Sequence, residues 1–378
     1  MLIQQNPPLH LTYCMNVHAG ETWADHLAAI RTHAVAVRGR VAADRRFGLG
    51  LRIGAKASEE LADPRAVKYF RDLLAEHQLY GFTINGFPYG NFHTTRVKET
   101  VYRPDWRTSE RRDYTNRLAD ILAALLPGGV EGSISTVPVS FKPWMAGTAD
   151  VERATGMLLE CVQHLDHLHR ATGKLIHLGL EPEPCCTLET TDEFVGFYKA
   201  LLARGPEDLV RRHIGVCLDT CHVAIQFEDL CDAIAKYRRE GIRISKMQLS
   251  AALECDGSAR DALKPFVEPV YFHQVKTRAG DGSIRSWTDL PDALAEGAAG
   301  TLRVHFHVPL FWEGSGPLRS TAACLTPDFW QLVREGVSSH LEIETYTFDV
   351  LPDALRKSDV VESIAREFTW VLSRLTTN

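Results

Sequence analysis

The sequence predicts a single (β/α)₈ barrel, and three observations lead to this prediction. Eight short runs of apolar and β-branched residues alternate with segments that carry apolar residues at helical spacing. The turns between them are short for most of the chain. No Gly-x-Gly-x-x-Gly follows any strand, which disfavours the alternative, a doubly wound open sheet. The barrel is expected to be one domain over residues 1–378, with a long insertion at 250–338 between the seventh and eighth strands.

The elements follow one another in a regular order. The predicted strands cover residues 11–17, 47–53, 80–85, 132–137, 175–181, 214–219, 242–248 and 340–344. Most strands are followed by a segment with apolar residues three or four apart, the spacing of one helix face. The helix after the third strand is expected to begin at Pro104, since proline is favoured in the first helical turn. A last amphipathic helix is expected over 358–375.

Composition excludes several classes of function. With 45% hydrophobic and 24% charged residues, the chain has material for a large core. A net charge of −6 argues against a general nucleic-acid binder. The sequence contains no apolar run of about 18 residues, the length that a membrane-spanning helix needs. The N-terminus lacks a signal-peptide pattern, and the nine cysteines are an odd number placed in strands or beside acids. We therefore expect reduced thiols and a cytoplasmic protein; the oligomeric state is not indicated.

Acidic residues end three of the predicted strands. In a barrel the carboxyl ends of all strands face one mouth, so Glu181, Asp219 and Glu344 should meet there, with the amide of Gln248 at the end of the seventh strand. Three carboxylates so close would repel one another unless a cation lies between them. This oxygen-rich set suits a divalent metal, namely zinc, manganese, cobalt or magnesium. Each acid taken singly could instead cap a helix or pair with an arginine.

Two of these assignments have close alternatives. Glu342 and Glu344 are two residues apart on one strand and share a face, and Glu344 is preferred because it lies nearer the mouth. The apolar run of the fifth strand ends at Leu180, so Glu181 is preferred as the ligand and Glu183 is interpreted as substrate-facing.

Further polar residues at the strand ends are candidates for substrate binding. His18, Asn85 and His93 follow the first and third strands, and His222 lies three residues after the aspartate of the sixth. Lys246 precedes the end of the seventh strand by two residues. It either points inward, as a cation for a phosphate or a counter-charge to the acids, or extends its aliphatic stem toward the helices.

The insertion carries two histidines on one face of an extended segment, His305 and His307. Such a pair can bind a second metal or hold an oxyanion, and the alternative is a hydrogen-bonded pair in a half-buried strand. Residues 271–273 and Trp312 indicate a lid over the mouth, because long loops in compact barrels usually have a function.

These residues indicate proton-transfer chemistry on a polyol. A metal can polarise a carbonyl or hydroxyl group, while Glu181 and Glu344 divide the acid and base roles at the adjacent carbon. The expected partner is a polyol, a cyclitol or a phosphate-bearing metabolite. No nucleophile elbow and no Walker loop occur.

The segment 215–222, Gly-Val-Cys-Leu-Asp-Thr-Cys-His, resembles the sixth-strand motif of the xylose-isomerase-like barrels. These include sugar-phosphate isomerases and epimerases and the endonuclease IV nucleases. The order Glu181, Asp219, Gln248, Glu344 is similar to the metal quartet of the epimerase branch, where the seventh-strand ligand is usually histidine. The glutamine is a departure that bears on the affinity and identity of the metal.

Residues 11–23, 84–90, 180–184 and 304–309 resemble the EboE family, and this resemblance covers nearly the whole chain. Members are encoded beside a prenyltransferase and a cyclase resembling dehydroquinate synthase, and are described as metabolite-traffic proteins. The resemblance implies a role in making or exporting a terpenoid or prenylated metabolite, with a membrane enzyme as a possible partner. A sugar or cyclitol isomerase step would reconcile the fold with that setting.

Two other classes of function compete with an isomerase. In endonuclease IV a trinuclear zinc site uses the Asp-x-x-His pair and a later Asp-x-His, where this chain has His305 and His307. Of the additional nuclease histidines, only His93 is a possible counterpart, and the acidic chain further disfavours DNA repair. The remaining class is a barrel that binds a metabolite without converting it.

Overall fold

A computed structural model describes residues 1–91, 93, 96–353, 355–356 and 358–376 of the chain. Its centre is a barrel of eight parallel strands preceded by a short antiparallel strand, β1 (Leu2–Gln5). The barrel strands are β2 (Pro8–Tyr13), β3 (Phe47–Arg52), β4 (Leu79–Asn85), β5 (Gly132–Thr136), β6 (Ile176–Leu180), β7 (Ile214–Asp219), β8 (Arg243–Leu249) and β15 (His340–Ile343). Nearly all their residues are buried, as expected for strands covered on both faces.

The barrel closes between its first two strands by a narrow contact. The hydrogen-bonded order runs β1-β2-β15-β8-β7-β6-β5-β4-β3, so the barrel sheet has a gap between β2 and β3. A single parallel bridge joins Cys14 to Gly50 across this gap. The hydroxyl of Thr12 strengthens it, donating to Gly48 O at 2.8 Å and accepting from Gly50 N at 2.9 Å. Side chains from opposite strands can therefore meet inside the barrel.

Helices surround the barrel. They are α1 (Trp23–Ala29), α2 (Val35–Val41), α3 (Ala55–Glu60), α4 (Pro64–Glu76), α5 (Ser109–Leu125), α6 (Thr148–Thr172), α7 (Thr191–Leu202), α8 (Glu207–His213), α9 (Thr220–Ile225), α10 (Leu230–Arg239), α11 (Leu290–Ala295), α12 (Pro327–Arg334) and α13 (Val360–Thr376). Capping boxes begin α1, at Thr22 and Asp25, and α7, at Thr190 and Glu193. None of the described helices combines the length and apolarity that a membrane span requires.

The insertion between β8 and β15 folds into a second sheet. Its six antiparallel strands are β9 (Leu253–Asp256), β10 (Val275–Arg278), β11 (Ile284–Trp287), β12 (Thr301–Val304), β13 (Gly314–Ser315) and β14 (Leu318–Ser320), in the order β11-β10-β12-β9-β14-β13. The sequence predicts an irregular lid here. A sheet forms because strands of two to four residues, too short to show a clear alternation, are completed by pairing with other strands of the insertion.

Several predicted bounds also change. The first strand ends at Tyr13, and residues Met15–Val17 form a 3₁₀ turn rather than its end. The helix expected at Pro104 begins at Ser109, after a 3₁₀ turn at Lys98–Tyr102, and Thr108 precedes its first residue. All nine cysteines are free, as the sequence predicts.

Candidate metal and active site at the barrel mouth

Three acidic side chains meet at the carboxyl ends of β6, β7 and β15. Glu181 follows the last residue of β6, Asp219 is the last residue of β7, and Glu344 follows the last residue of β15. Each offers a carboxylate oxygen within 4.8 Å of the other two, and all three side chains are buried. The predicted convergence of these acids is therefore observed.

Asp219 is held by the element that follows it. Its Oδ1 accepts from the backbone N–H of His222 at 3.0 Å, as the N-cap of α9, and from Ser250 Oγ at 2.6 Å. Its Oδ2 is buried and has no hydrogen-bond partner among the described residues. Because a buried carboxylate oxygen without a partner is costly, this atom fits a cation in the cluster.

Glu344 is held by residues that follow β2. Its Oε1 accepts from Cys14 Sγ at 3.2 Å and from Asn16 Nδ2 at 3.5 Å. Sequence reasoning missed both donors, because a cysteine and an asparagine near a strand end have many other roles.

The pKa values of the three acids diverge. Burial, and next the charge of Asp219, raise the pKa of Glu181 well above its usual value. Burial and the charge of Glu181 do the same for the pKa of Glu344. Burial alone would raise the pKa of Asp219, but electrostatic interactions with the imidazoles of His222 and His307 and the two donors to its Oδ1 outweigh it and lower that pKa. One acid is thus held ionised while two readily carry a proton.

Gln248 lies beside the acid cluster but is engaged elsewhere. Its Oε1 accepts from Cys217 Sγ at 2.9 Å and its Nε2 donates to Asn85 Oδ1 at 3.3 Å. The residue is paired across the sheet with Asp219 and with Glu342. Its predicted role as a metal ligand stays a prediction.

Lys246, Asn85 and Glu342 form a layer inside the barrel. Lys246 points inward, the first of its two predicted orientations, and forms an ion pair with Glu342. Asn85 Oδ1 accepts from Lys246 Nζ at 2.8 Å, and Asn85 Nδ2 donates to Glu342 Oε1 at 2.8 Å. These contacts assign Glu342 to the interior and leave Glu344 at the mouth. The predicted substrate contacts of Lys246 and Asn85 stay predictions.

Three histidines gather on the other side of Asp219. The Nε2 atoms of His222 and His305 are 3.0 Å apart, and Asp219, His222 and His307 offer donor atoms within 4.8 Å of one another. All three rings are buried. His305 and His307 follow β12, so the insertion places them at the barrel mouth.

The other two predicted histidines lie farther out. His93 Nε2 contacts Asn16 O at 2.7 Å, and its Nδ1 lies 3.3 Å from Tyr271 Oη, so it supports residues of the cavity wall. His18 stacks on His33 with ring centroids 4.3 Å apart and lines a separate surface groove. The structure therefore does not bring His18 to the cavity.

A cavity opens above the acid cluster, and its free space measures about 70 Å³. Its floor is polar, formed by Glu181, Glu183, His222, Gln274, His305 and Glu344. Its wall is mainly apolar and aromatic, formed by Phe87, Val97, Val101, Tyr102, Phe272 and Tyr346. Tyr102 donates to Glu183 Oε1 at 3.1 Å, and burial raises the pKa of Glu183 to about 8. Glu183 thus faces the cavity, as the sequence predicts, whereas most of the aromatic wall was not predicted.

Neither a family model nor a curated protein matches the sequence. Solved structures resemble the fold. The 1.8 Å crystal structure of the IOLI protein with a binding zinc atom aligns with a TM-score of 0.51 at 13% identity, over 98% of this chain and 100% of that chain. The 3-keto-D-glucoside 4-epimerase YcjR from E. coli aligns with a TM-score of 0.47 at 12% identity, over 97% and 99%. A xylose isomerase domain protein from Planctomyces limnophilus aligns with a TM-score of 0.49 at 12% identity, over 86% and 88%.

The strand order and the likeness to the IOLI protein show a (β/α)₈ barrel, as the sequence predicts. At these identities the likeness concerns the fold alone, since one barrel fold hosts many chemistries.

Proposed function

We propose that the protein is a divalent-metal-dependent isomerase or epimerase that acts on a sugar or cyclitol, with or without a phosphate. One observation carries the proposal: three buried carboxylates from the ends of three strands present oxygens within 4.8 Å of one another, and two of them, Glu181 and Glu344, line a cavity. Three carboxylates this close repel one another unless a cation lies among them or unless they share protons.

The donors fit a metal ion. Glu181, Asp219 and Glu344 would hold it, with Gln248 as the candidate fourth ligand from β8. Carboxylate and amide oxygens are ligands that magnesium, manganese, cobalt and zinc accept. The unpartnered Oδ2 of Asp219 supports this assignment. When bound, the ion would polarise a carbonyl or hydroxyl group of the substrate.

The side chains divide the proton transfer. Asp219 stays ionised because its pKa is lowered, whereas the raised pKa values of Glu181 and Glu344 mean that these two carboxyl groups take up a proton more readily than Asp219 does. We assign Glu181 and Glu344 as the base and acid that remove and return a proton on a substrate carbon. Both carboxylates line the cavity, so both can reach a bound substrate.

The cavity also defines the kind of substrate. Glu183, His222 and His305 present acceptors and donors to hydroxyl or phosphate oxygens. The rings of Phe87 and Tyr102 stack with centroids 5.9 Å apart and cover the apolar side. A polyhydroxylated head beside an apolar group would satisfy both surfaces.

We further place this step in the synthesis or export of a terpenoid or prenylated metabolite. The support is the resemblance of residues 11–23, 84–90, 180–184 and 304–309 to the EboE family, together with the apolar cavity wall. In that setting a membrane-bound enzyme would supply or receive the metabolite, and no nucleic acid would be involved.

The test is carbon–hydrogen exchange in D₂O. The metal-loaded protein is incubated with a panel of sugars, cyclitols and their phosphates, and deuterium incorporation is followed by NMR. We expect exchange with at least one compound, lost in Glu181→Gln and after metal removal. Asp166→Asn is the matched control, because Asp166 is a buried carboxylate on α6 that pairs with Arg212 at 3.2 Å, outside the site.

Failure of every compound to exchange, with metal bound, would refute the isomerase and leave a barrel that binds its metabolite without converting it. Nicking of abasic DNA would instead support the nuclease.

A further inference from the structure

Two segments that are far apart in the sequence form much of the cavity wall, and together we call them the clasp. They are residues 97–102, which follow β4, and residues 270–274, which belong to the insertion. The cavity between this wall and the acid cluster has about 70 Å³ of free space, enough for about five to seven water molecules but not for a hexose. Glu181 and Glu344 are only 5% and 4% exposed. A substrate therefore reaches both carboxylates only if part of the wall moves.

Polar contacts join the two segments of the clasp. The backbone N–H groups of Val97 and Lys98 both donate to Val270 O, at 3.0 and 3.3 Å. The ammonium group of Lys98 donates to Tyr271 O at 2.7 Å and forms an ion pair with Asp289. The side chains of this ion pair are 10% and 13% exposed, so water screens it only in part. Lys98 is thus the main link from the first segment to the insertion.

The closed clasp holds Lys98 in an unfavourable backbone conformation. Its φ is +37°, on the left-handed side that residues with a Cβ rarely adopt. Such a conformation persists only where surrounding contacts compensate for it, and it is common in segments that move during function. At Lys98 the compensation comes from Asp289 and from the carbonyl of Tyr271. Opening would release the strain together with these contacts, which brings the open and closed forms closer in free energy.

The apolar packing around Val97 is separate from the main core. Val97 and Tyr271 form a small buried cluster of their own, with Val101 and Val270 packed against it. Tyr102 instead stacks on Phe141, with ring centroids 5.1 Å apart, and belongs to the main core. Regions held by small clusters open at a lower cost in free energy than the core does. Residues 270–274 can therefore move while Tyr102 and the barrel stay in place.

The clasp also contacts the polar floor of the cavity. Gln274 Nε2 donates to Tyr102 Oη at 2.9 Å, a bond that crosses from one segment to the other. Tyr102 in turn donates to Glu183 Oε1 at 3.1 Å, and Gln274 Oε1 lies 2.7 Å from Nδ1 of His305. The orientation of Glu183 and His305 thus depends on whether the two segments are joined.

We propose that residues 270–274 move away from residues 97–102 to admit the substrate, and that their return orients Glu183 and His305 through Tyr102 and Gln274. Tyr102 and Gln274 are then positioning residues, and the ion pair between Lys98 and Asp289 keeps the clasp closed. The inference rests on the proposed function for the kind of ligand that enters. The movement itself requires no reaction and is measured without one.

Native-state hydrogen exchange on the full chain, followed by mass spectrometry, tests the movement. In the wild type we expect the amides of residues 97–102 to exchange faster than those of the buried strand β7. Their exchange should also be insensitive to low concentrations of urea, because a local opening exposes little surface. Exchange of these amides only together with β7, with the same dependence on urea, would overturn the inference.

The variant Asp289→Asn tests the ion pair. It removes the charge, whereas its amide oxygen can still accept from the backbone N–H groups of His273 and Leu290, as Asp289 Oδ1 does at 3.0 Å from each. We expect residues 97–102 to exchange about tenfold faster, with β7 unchanged. Lys98→Met is the second variant in case Asp289→Asn does not fold, as judged by circular dichroism.

Glu254→Gln is the matched control. Glu254 pairs with Arg303 at 2.8 Å inside the insertion sheet, and the two side chains are 17% and 12% exposed, similar to the pair in the clasp. This variant should leave the exchange of residues 97–102 unchanged. An effect as large as that of Asp289→Asn would show that the ion pair of Lys98 has no particular role in closing the clasp.

A reacting compound separates this inference from the proposed function. Any compound that shows carbon–hydrogen exchange in D₂O should, at saturation, slow the amide exchange of residues 97–102. Tyr102→Phe keeps the stacked ring but loses the hydroxyl, so it should raise the KM of that reaction about tenfold with a smaller change in kcat. Local opening without any reacting compound would refute the proposed function and leave the movement established. A reacting compound that leaves the amide exchange unchanged would overturn the inference.

Discussion

The ammonium group of Lys246 lies against the carboxylate of Glu342 inside the barrel, where the two side chains are 0% and 1% exposed. Burial alone would lower the pKa of Lys246, but the charge of Glu342 outweighs it and raises that pKa above its usual value. The two side chains form an internal ion pair, and Asn85 bonds to both members.

Breaking this pair should destabilise the fold. We expect Lys246→Met to lower the free energy of unfolding by about 3–5 kcal/mol, because Glu342 would remain buried without its partner. Urea unfolding measures the change. The control is Lys68→Met, which removes an exposed pair with Asp72 and should leave the urea midpoint nearly unchanged. Equal effects in the two variants would contradict the role of the buried pair.

The gap between β2 and β3 requires a glycine at position 50. A Cβ added to Gly50 would lie 1.9 Å from Glu342 Oε1 and 2.6 Å from Tyr13 O, and the backbone atom cannot move aside. Gly50→Ala should therefore destabilise the protein by about 1–3 kcal/mol or more. Gly39→Ala is the control: Gly39 lies in α2 with no atom within 4 Å of its added Cβ, and alanine there should stabilise by about 0.5–1 kcal/mol. Thermal denaturation that ranks the two variants alike would refute the prediction.

His10 should make stability depend on pH. Burial, and next the charge of the N-terminus, lower its pKa from 6.5 to about 4. Between these values the unfolded chain binds a proton that the folded chain does not, so stability is complete above about pH 6.5 and falls as pH falls toward 4. At pH 5 the loss from this group should be about 2 kcal/mol.

The measurement is the difference between wild type and His10→Gln in urea midpoints at pH 7 and pH 5. The variant should lose less stability on acidification than the wild type. If His10→Gln keeps the wild-type dependence of stability on pH, the lowered pKa of His10 does not contribute to stability.

Metal binding should stabilise the fold through Asp219. A ligand that binds only the folded state stabilises by about 2.7 kcal/mol at a free concentration 100 times its Kd, so the wild-type Tm should rise with added zinc or manganese and fall with chelator. We expect Asp219→Ala to abolish most of this response. Asp229→Ala is a matched control, since Asp229 also caps a helix, α10, and should lower Tm without changing the response. A full response in Asp219→Ala would refute the carboxylate site.

The barrel was predictable from the sequence because its signals are local. Each buried strand is a short apolar run, and the acids Glu181, Asp219 and Glu344 stand out as polar residues at the ends of such runs. Because side chains two residues apart on a strand share a face, the sequence predicts Lys246 on the same face as Gln248, and the structure shows it there. These inferences need only the period of a strand and the common orientation of parallel strands.

The other features of the fold and the site depend on contacts between residues that are far apart in the sequence. The strands of the insertion sheet are too short to show an alternation of polar and apolar residues. The sequence therefore predicts an irregular lid in this region instead of a sheet. The partners of Glu344, Cys14 and Asn16, come from more than 300 residues away in the chain. His18 was misplaced because β2 ends at Tyr13, so the residue lies a turn beyond the strand and faces His33.

The position of the strands in the chain affects the folding kinetics. β12 pairs with β9 and β10 within one stretch of the chain, whereas β15, which ends beside Glu344, pairs with β2 from the opposite end of the sequence. Pairings between residues so far apart form slowly, because a long loop must close before their contacts contribute. We expect β10 and β12 to gain protection in pulsed hydrogen exchange before β15. Until β15 closes the barrel, the acid cluster would lack Glu344 even where the insertion sheet has formed.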